Sequence, residues 1–337
     1  MRVLIVKTSS MGDVVHALPA VSDMVRCHPG VVIDWLVEAS FAALPALHPG
    51  VRRVLPMAWR KWRKNLWRRD TRAAISAFRA ELRRDEYDCV LDLQGLLLKS
   101  VLWGLQARGP LVGYDRDSVR EPLSSLCYQR SVSVPRSLQA VERCRRLASA
   151  HLGHVLSHAP PDFGILPPDG GWMPSAVVGS SDGSSDGGSD GAAEGIATAV
   201  LIPCASRPEK LWPESDWIAV GQRLHLAGLV PVVLWGNADE WQRAQRIASA
   251  CGGQLPPLLS VGEMAAVLGR ACQIVGLDTG FTHLGAAFGR PSIAIYCDHE
   301  PGLAGLTGPG RVASLGGSGQ VPTRAAVLAQ LEWHLAG

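Results

Sequence analysis

Two strand-to-helix turns, one in each half of the chain, constrain this sequence more than any other feature. Near the N-terminus Leu4-Ile5-Val6 runs into Lys7-Thr8-Ser9-Ser10-Met11-Gly12-Asp13, ahead of Val14-Val15-His16. Near the other end Val275-Gly276-Leu277 runs into Asp278-Thr279-Gly280, ahead of Phe281-Thr282-His283-Leu284. In each case an apolar strand gives way to a Gly- and hydroxyl-containing turn that opens a helix. Such a turn presents unpaired backbone N–H groups and the positive end of the helix dipole, which suits phosphate. Two of them predict two nucleotide-fold domains facing each other, each bringing an Asp to its turn.

The rest of the chain fits an α/β fold. In the first half Arg2–Val6, Val31–Val37, Val51–Pro56 and Cys89–Leu93 read as strands. They alternate with helical stretches: one carrying Val14, Leu18, Val21 and Val25 on a helical repeat, a short one at Phe41–Leu47, then Ala74–Arg84 and Arg120–Leu152. The second half repeats the scheme, with strands at Thr198–Ile202, Val230–Trp235, Ile274–Leu277 and Ser292–Tyr296. Its helices fall at Glu214–Ala227, Ala238–Ala250, Gly262–Arg270 and Thr282–Phe288, and an amphipathic helix closes the chain at Thr323–Leu335. Such alternation predicts parallel sheets with helices on both faces. Between the halves, Gly179–Gly195 is almost wholly Gly, Ser, Asp and Ala and reads as a flexible insert without chemistry.

At 337 residues there is room for two ordinary domains. No apolar run reaches the ~18 residues of a membrane span, the chain opens on a strand rather than a signal-peptide pattern, and the eight cysteines show no C-x-x-C pair. These features predict a soluble cytoplasmic protein with reduced thiols. The net charge of +3 hides a local asymmetry. Between Val51 and Asp70 stand Arg52, Arg53, Arg60, Lys61, Arg63, Lys64, Arg68 and Arg69, interleaved with Trp59, Trp62 and Trp67. A solvated basic face is one reading. Nucleic acid lacks any accompanying motif, and the mixture of cations and Trp fits an anionic membrane surface or, better, a phosphorylated amphiphile.

Asp13 follows Gly12 where ligands gather in open α/β sheets, although an Asp there also suits a helix cap. Ser206, Arg207 and Lys210 follow a strand and suit either a phosphate or a solvated loop. The chain has neither G-x-x-x-x-G-K-[ST] nor a turn with G-x-G-x-x-G, which disfavours a P-loop enzyme and a dehydrogenase. Asp278, Thr279, Gly280 and His283 would gather carboxylate, hydroxyl, backbone N–H and imidazole at one helix start. His283 alone is more often a packed histidine, and its spacing from Asp278 is what favours a ligand role. Asp115-Arg116-Asp117 imitates a metal-binding D-x-D but reads as a solvated turn.

These segments resemble the bacterial lipopolysaccharide heptosyltransferases, and within them the type I enzymes. The opening Met1–Val14 carries the likeness, together with Trp59–Lys64, Asp92-Leu93-Gln94-Gly95, Arg120-Glu121-Pro122-Leu123, Ala140-Val141-Glu142-Arg143, Lys210–Pro213 and Asp278–Leu284, in that order. The resemblance implies the GT-B architecture: two Rossmann-like domains with parallel sheets facing a central cleft. Its implied domains are 1–160 for the acceptor, a linker over 161–196, 197–320 for ADP-heptose, and 321–337 as a helix returning to the first domain. The implied reaction moves L-glycero-D-manno-heptose from ADP-heptose to the inner Kdo of Kdo2-lipid A with inversion. Neither a metal nor another cofactor is implied, and the place of action would be the cytoplasmic face of the inner membrane.

By the same resemblance Asp13 matches the general base. Ser206 and Lys210 match phosphate contacts, Glu240 a ribose contact, Leu259 the adenine pocket and Asp278 a donor-sugar contact, with Thr279, Gly280 and His283 in the diphosphate turn. Arg60, Arg63, Lys64 and Arg120 match positions associated with the acidic acceptor. Two places depart from the family. Ala205-Ser206 stands where paired threonines are common, and Tyr296-Cys297-Asp298-His299-Glu300-Pro301 replaces the usual Gly-Pro-Thr-Asp-Pro. The rivals are a type II heptosyltransferase, a nucleotide-sugar 2-epimerase on the same fold, and a non-catalytic module for anionic lipid.

Overall fold

A computed structural model describes residues 1–175 and 196–336, so the Gly179–Gly195 insert lies outside the described residues. Six strands form the first sheet: β1 Arg2–Val6, β2 Val32–Glu38, β3 Val51–Met57, β4 Cys89–Asp92, β5 Leu111–Tyr114 and β6 Arg130–Val132. Their order is β3-β2-β1-β4-β5-β6, with parallel pairing throughout. The longer helices of this half are α1 Met11–Cys27, α2 Arg69–Leu82 and α3 Ala140–Leu152. The second sheet holds β7 Thr198–Ile202, β8 Val230–Val233, β9 Gln273–Leu277, β10 Ser292–Tyr296 and β11 Val312–Gly316. Its order is β11-β10-β9-β7-β8, again parallel. With it go α4 Glu214–Leu226, α5 Ala238–Cys251, α6 Val261–Arg270, α7 Gly280–Ala287 and α8 Arg324–Leu335.

Each sheet reverses its winding once, between β1 and β4 in the first and between β7 and β9 in the second. Crevices form beyond the carboxyl ends of strands at such points. The turn after β1 and the turns after β7 and β9 therefore open into the crevices. The central strands are buried on both faces, so they read as continuous apolar runs; Val3, Leu4, Ile5 and Val6 are all fully buried. In α1, Val14, Leu18 and Val21 are fully buried, each contributing ~1.5–3 kcal/mol. Val25, on the same repeat, is exposed where the helix runs past the sheet.

The halves share one apolar cluster, in which Val14 and Leu18 of α1 join Leu284 and Ala287 of α7. Glycine permits this close approach. A Cβ at Gly280 would meet the Met11 side chain and lie 2.9 Å from the Gly12 nitrogen.

Three expectations change. Arg120–Leu152 is helical only over α3 and a short 3-10 turn at Pro122–Cys127, with β6 between them; Pro122 and Pro135 break any longer helix. The short strands β5, β6 and β11, the last two at sheet edges, escape a periodicity reading. The last helix, expected to return to the first domain, packs on the second instead. Its Val327 and Leu331 are buried in the core of that sheet, and His334 Nδ1 lies 3.1 Å from Gln273 Oε1 on β9.

Candidate active site

The first turn is built from the next strand over. Asp92 ends β4 fully buried, and its Oδ1 accepts the Gln94 and Gly95 N–H groups at 2.8 and 3.1 Å. Its Oδ2 accepts the hydroxyls of Ser100 and Tyr128 at 2.9 and 2.8 Å. So held, Gln94 presents Oε1 to the N–H groups of Thr8 and Ser9 at 3.1 and 3.2 Å. The Asp92–Gly95 motif is thus the scaffold of the β1 turn. Asp13 closes that turn, its Oδ2 accepting the Ser10 N–H at 2.7 Å and the Ser10 hydroxyl at 3.0 Å. Burial opposes its charge, yet Lys7 and these bonds to Ser10 outweigh it and hold the carboxyl below its ordinary value. Asp13 is therefore both the reciprocal partner of a helix cap and an ionised group on the cleft.

The second turn gathers charge around Asp278. Its Oδ2 accepts Lys210 Nζ at 2.7 Å and faces His299 Nε2 at 3.1 Å, while Oδ1 faces His283 Nε2 at 3.1 Å. Burial would raise this carboxyl, but the bonds from His283 and Lys210 prevail and push it far below the usual range. On its other side His283 Nδ1 lies 3.2 Å from Nε2 of His16. His16 stands one turn beyond Asp13 on α1, and burial followed by His283 pushes it down to about 3.

Between the turns lies a cleft of about 420 Å³. Asp13, Ser206, Lys210, Glu240, Asp278, Thr279, Gly280 and His283, all anticipated, line it together. Glu240 accepts the Gly236 N–H through Oε2 at 2.7 Å, at the start of α5. Leu259 is not on the cleft. It is buried in the apolar cluster behind, and Leu234, Trp235 and Met264 form the apolar wall. His16 also lines the cleft; its three-residue spacing from Asp13 was the signal for it.

Beside the first turn Arg60 and Arg63 border a small recess of about 40 Å³ with Ser9, Glu38 and Lys99. The Arg60 N–H donates to Glu38 Oε1 at 3.1 Å, and its guanidinium lies over Phe41. Lys64 and Arg120 are exposed and do not border it. Lys99 was missed because it lies in a different segment. The Trp side chains part company: Trp62 is buried against Trp103 and Phe78, Trp59 packs on Trp103, and Trp67 is exposed. Trp62 is core; Trp59 is half-buried and also borders the recess beside Arg60. Asp115 accepts the Ser118 N–H at 2.9 Å, so the D-x-D segment is a self-capped turn.

Two facing parallel-sheet halves with a charged cleft at their switch points form a GT-B arrangement, and comparison with known proteins supplies the class of enzyme. Residues 75–332 match the family model described as Glycosyltransferase family 9 (heptosyltransferase). The chain belongs to that family and is a glycosyltransferase that moves heptose. In particular it is similar to lipopolysaccharide heptosyltransferase 1 of Pseudomonas aeruginosa, 38% identical over 93% of this chain and 83% of that one. Among solved structures, the E. coli heptosyltransferase WaaC with ADP superposes with a TM-score of 0.85 at 36% identity, covering 99% of this chain and 100% of that one. The same enzyme with ADP-2-deoxy-2-fluoro heptose gives 0.82 at 34%, with 99% of each chain covered. Neither an epimerase nor a lipid-binding module is favoured.

Proposed function

We propose that this enzyme transfers L-glycero-D-manno-heptose from ADP-heptose to the inner Kdo of Kdo2-lipid A, by a single displacement with inversion. One observation carries the reading: Asp13 of one half and the Lys210–Asp278–His283 group of the other line a single cleft. In this reading residues 1–160 take the acceptor and 197–320 the donor. Asp13 accepts the proton of the attacking Kdo hydroxyl, whose oxygen bonds to the anomeric carbon. The bond from that carbon to the diphosphate breaks, and ADP leaves with the electron pair. Lys210, Ser206 and the amides opening α7 meet the charge that develops on the leaving group. Glu240 takes the ribose and Asp278 the sugar, while Leu234, Trp235 and Met264 take over the adenine role first given to Leu259.

Arg60 and Arg63, joined by Lys99, suit the carboxylates and phosphates of the acceptor; Lys64 and Arg120 serve from further out. Among the described residues no helix is long and apolar enough to cross a membrane. Access to a lipid acceptor then calls for peripheral contact, in keeping with the basic segment and exposed Trp67. Turnover with ADP-heptose and Kdo2-lipid A tests the reading. Release of ADP should require the lipid acceptor; ADP-heptose consumed equally without it, or transfer only onto an acceptor that already carries heptose, would overturn it.

A further inference from the structure

Beyond β4 the chain winds through two short helical turns, Leu97–Val101 and Leu102–Gly104, that are apolar on every side. Only the inner side is covered: Val101 and Trp103 are buried in a core shared with Leu4 and Val6 of β1. On the outer side Leu98, Leu102 and Leu105, spaced four and three residues apart, stand in solvent. A helical segment that is apolar all round is ordinarily covered all round. Beside it lies the 3-10 turn Pro122–Cys127, whose Leu123 and Leu126 are exposed as well, the second of them by 77%. Hydrogen bonds tie the two segments together. Glu121 Oε2 accepts the Leu97 N–H at 2.7 Å, and the Gly95 carbonyl accepts the Glu121 N–H at 3.2 Å and the Ser124 hydroxyl at 3.4 Å. Five outward leucines thus stand on two adjoining segments.

From Leu97 to Leu105 and from Arg120 to Cys127 the charged residues are Lys99, Arg120 and Glu121. The acid is the brace to Leu97 just described. Lys99 follows Leu98 and borders the recess of Arg60 and Arg63, and Arg120 is exposed just ahead of the 3-10 turn. The basic segment lies against the same structure, since the Trp59 and Trp62 rings pack on Trp103. An exposed apolar patch with a charged rim marks an interaction surface. Two copies meeting through it would bring the cations of both rims together, because a two-fold contact pairs a patch with itself. An anionic bilayer suits both parts: its headgroups meet the cations, and leucines enter the boundary beneath them. We propose that Leu98, Leu102, Leu105, Leu123 and Leu126 form the surface by which this protein docks on an anionic membrane. Docked so, the recess of Arg60, Arg63 and Lys99 is brought to the level of the headgroups. A bilayer is favoured over another anionic partner because the acceptor is read as a membrane lipid, and the docking surface rests on that reading.

Co-flotation of the whole protein with vesicles tests it. The unsubstituted chain should bind vesicles of phosphatidylethanolamine that contain phosphatidylglycerol, and bind those without it much more weakly. L123S/L126S should bind the anionic vesicles at least roughly tenfold more weakly, as two apolar side chains no longer leave water. L123W/L126W should bind at least as tightly as the unsubstituted chain, since Trp favours the membrane interface. L226S, which removes a leucine 81% exposed on α4 in the second half, should change nothing. Melting temperature and ADP affinity should stay the same throughout, because all these side chains are exposed. Equal vesicle affinity of L123S/L126S and the unsubstituted chain would overturn the proposal. So would a loss in L123W/L126W as large as that in L123S/L126S, since that marks a structural role alone. A dimer that L123S/L126S turns into a monomer, with vesicle affinity unchanged, would give the patch to a second copy instead. Turnover on vesicles carrying Kdo2-lipid A separates this surface from the acceptor reading. Leucine-dependent flotation without transfer of heptose would overturn that reading and leave the docking surface standing.

Discussion

His16 Nε2 on α1 lies 3.2 Å from His283 Nδ1 on α7, a buried bond between the two halves of the protein. Burial first, then the neighbouring His283, pushes His16 down to about 3. The unfolded side chain, with an ordinary value near 6.5, therefore binds a proton over a pH range in which the folded one does not. Between about pH 6.5 and about pH 3 this site makes stability fall as the pH falls. H16N should consequently show a smaller drop in Tm than the unsubstituted protein between about pH 7 and about pH 5. His48, His151, His154 and His334 are also pushed down, chiefly by burial, so part of the acid sensitivity should remain. An identical drop in both proteins would show that His16 is not held neutral by the fold.

Asp13 carries two duties that substitution can separate. In D13N the amide oxygen still accepts from Ser10, so the cap and the melting temperature should be nearly kept. As a base the amide is useless, and kcat should fall by roughly 10²–10⁴. ADP affinity should be unchanged. Near-normal turnover would leave Asp13 with its capping duty alone.

Lys210 and Asp278 form one ion pair at 2.7 Å but should answer differently to removal. K210A should weaken ADP and ADP-heptose together, by roughly tenfold or more, since a charge-assisted bond to a diphosphate contributes ~1.5–3 kcal/mol. D278A removes a carboxylate that competes for Lys210 and repels phosphate. It should spare or improve ADP while penalising the sugar-bearing donor. Titration of both variants with both ligands decides it: equal losses for the two ligands in D278A would remove the sugar contact and leave Asp278 as a brace for Lys210 and His283.

The recess lined by Arg60, Arg63 and Lys99 lies beside the β1 turn, not in the cleft around Lys210. Replacing Arg60 and Arg63 with Gln should raise KM for the lipid acceptor and flatten its dependence on salt. KM for ADP-heptose should not move. A change confined to the donor would mean that the recess serves the wrong substrate.

Local chemistry wrote much of this protein directly into its sequence. Runs such as Leu4-Ile5-Val6 and Val275-Gly276-Leu277 announce buried parallel strands, and the Gly and hydroxyl residues after them announce helix starts. Both signals act over a handful of neighbouring residues, so Asp13, Asp278, Gly280 and His283 could be found without coordinates. The short strands β5, β6 and β11 could not. They are three to five residues long and owe their conformation to pairing with a neighbour in the sheet rather than to a repeat of their own.

Only the tertiary structure decided which distant groups meet. His16 reaches His283, Lys99 joins Arg60 and Arg63, and His299 shares Asp278 with Lys210, because strand order and the α1–α7 contact bring these segments together. Composition misled where burial on one face overrode it. Trp62 looked like surface for a lipid, yet its ring packs on Trp103 and Phe78; Leu259, which the resemblance put at the adenine pocket, sits behind the cleft wall. The last helix has an apolar face, and the second sheet takes it through Val327 and Leu331. A residue pattern states that a face must be covered. What covers it depends on contacts between segments far apart in the chain, which no local pattern encodes.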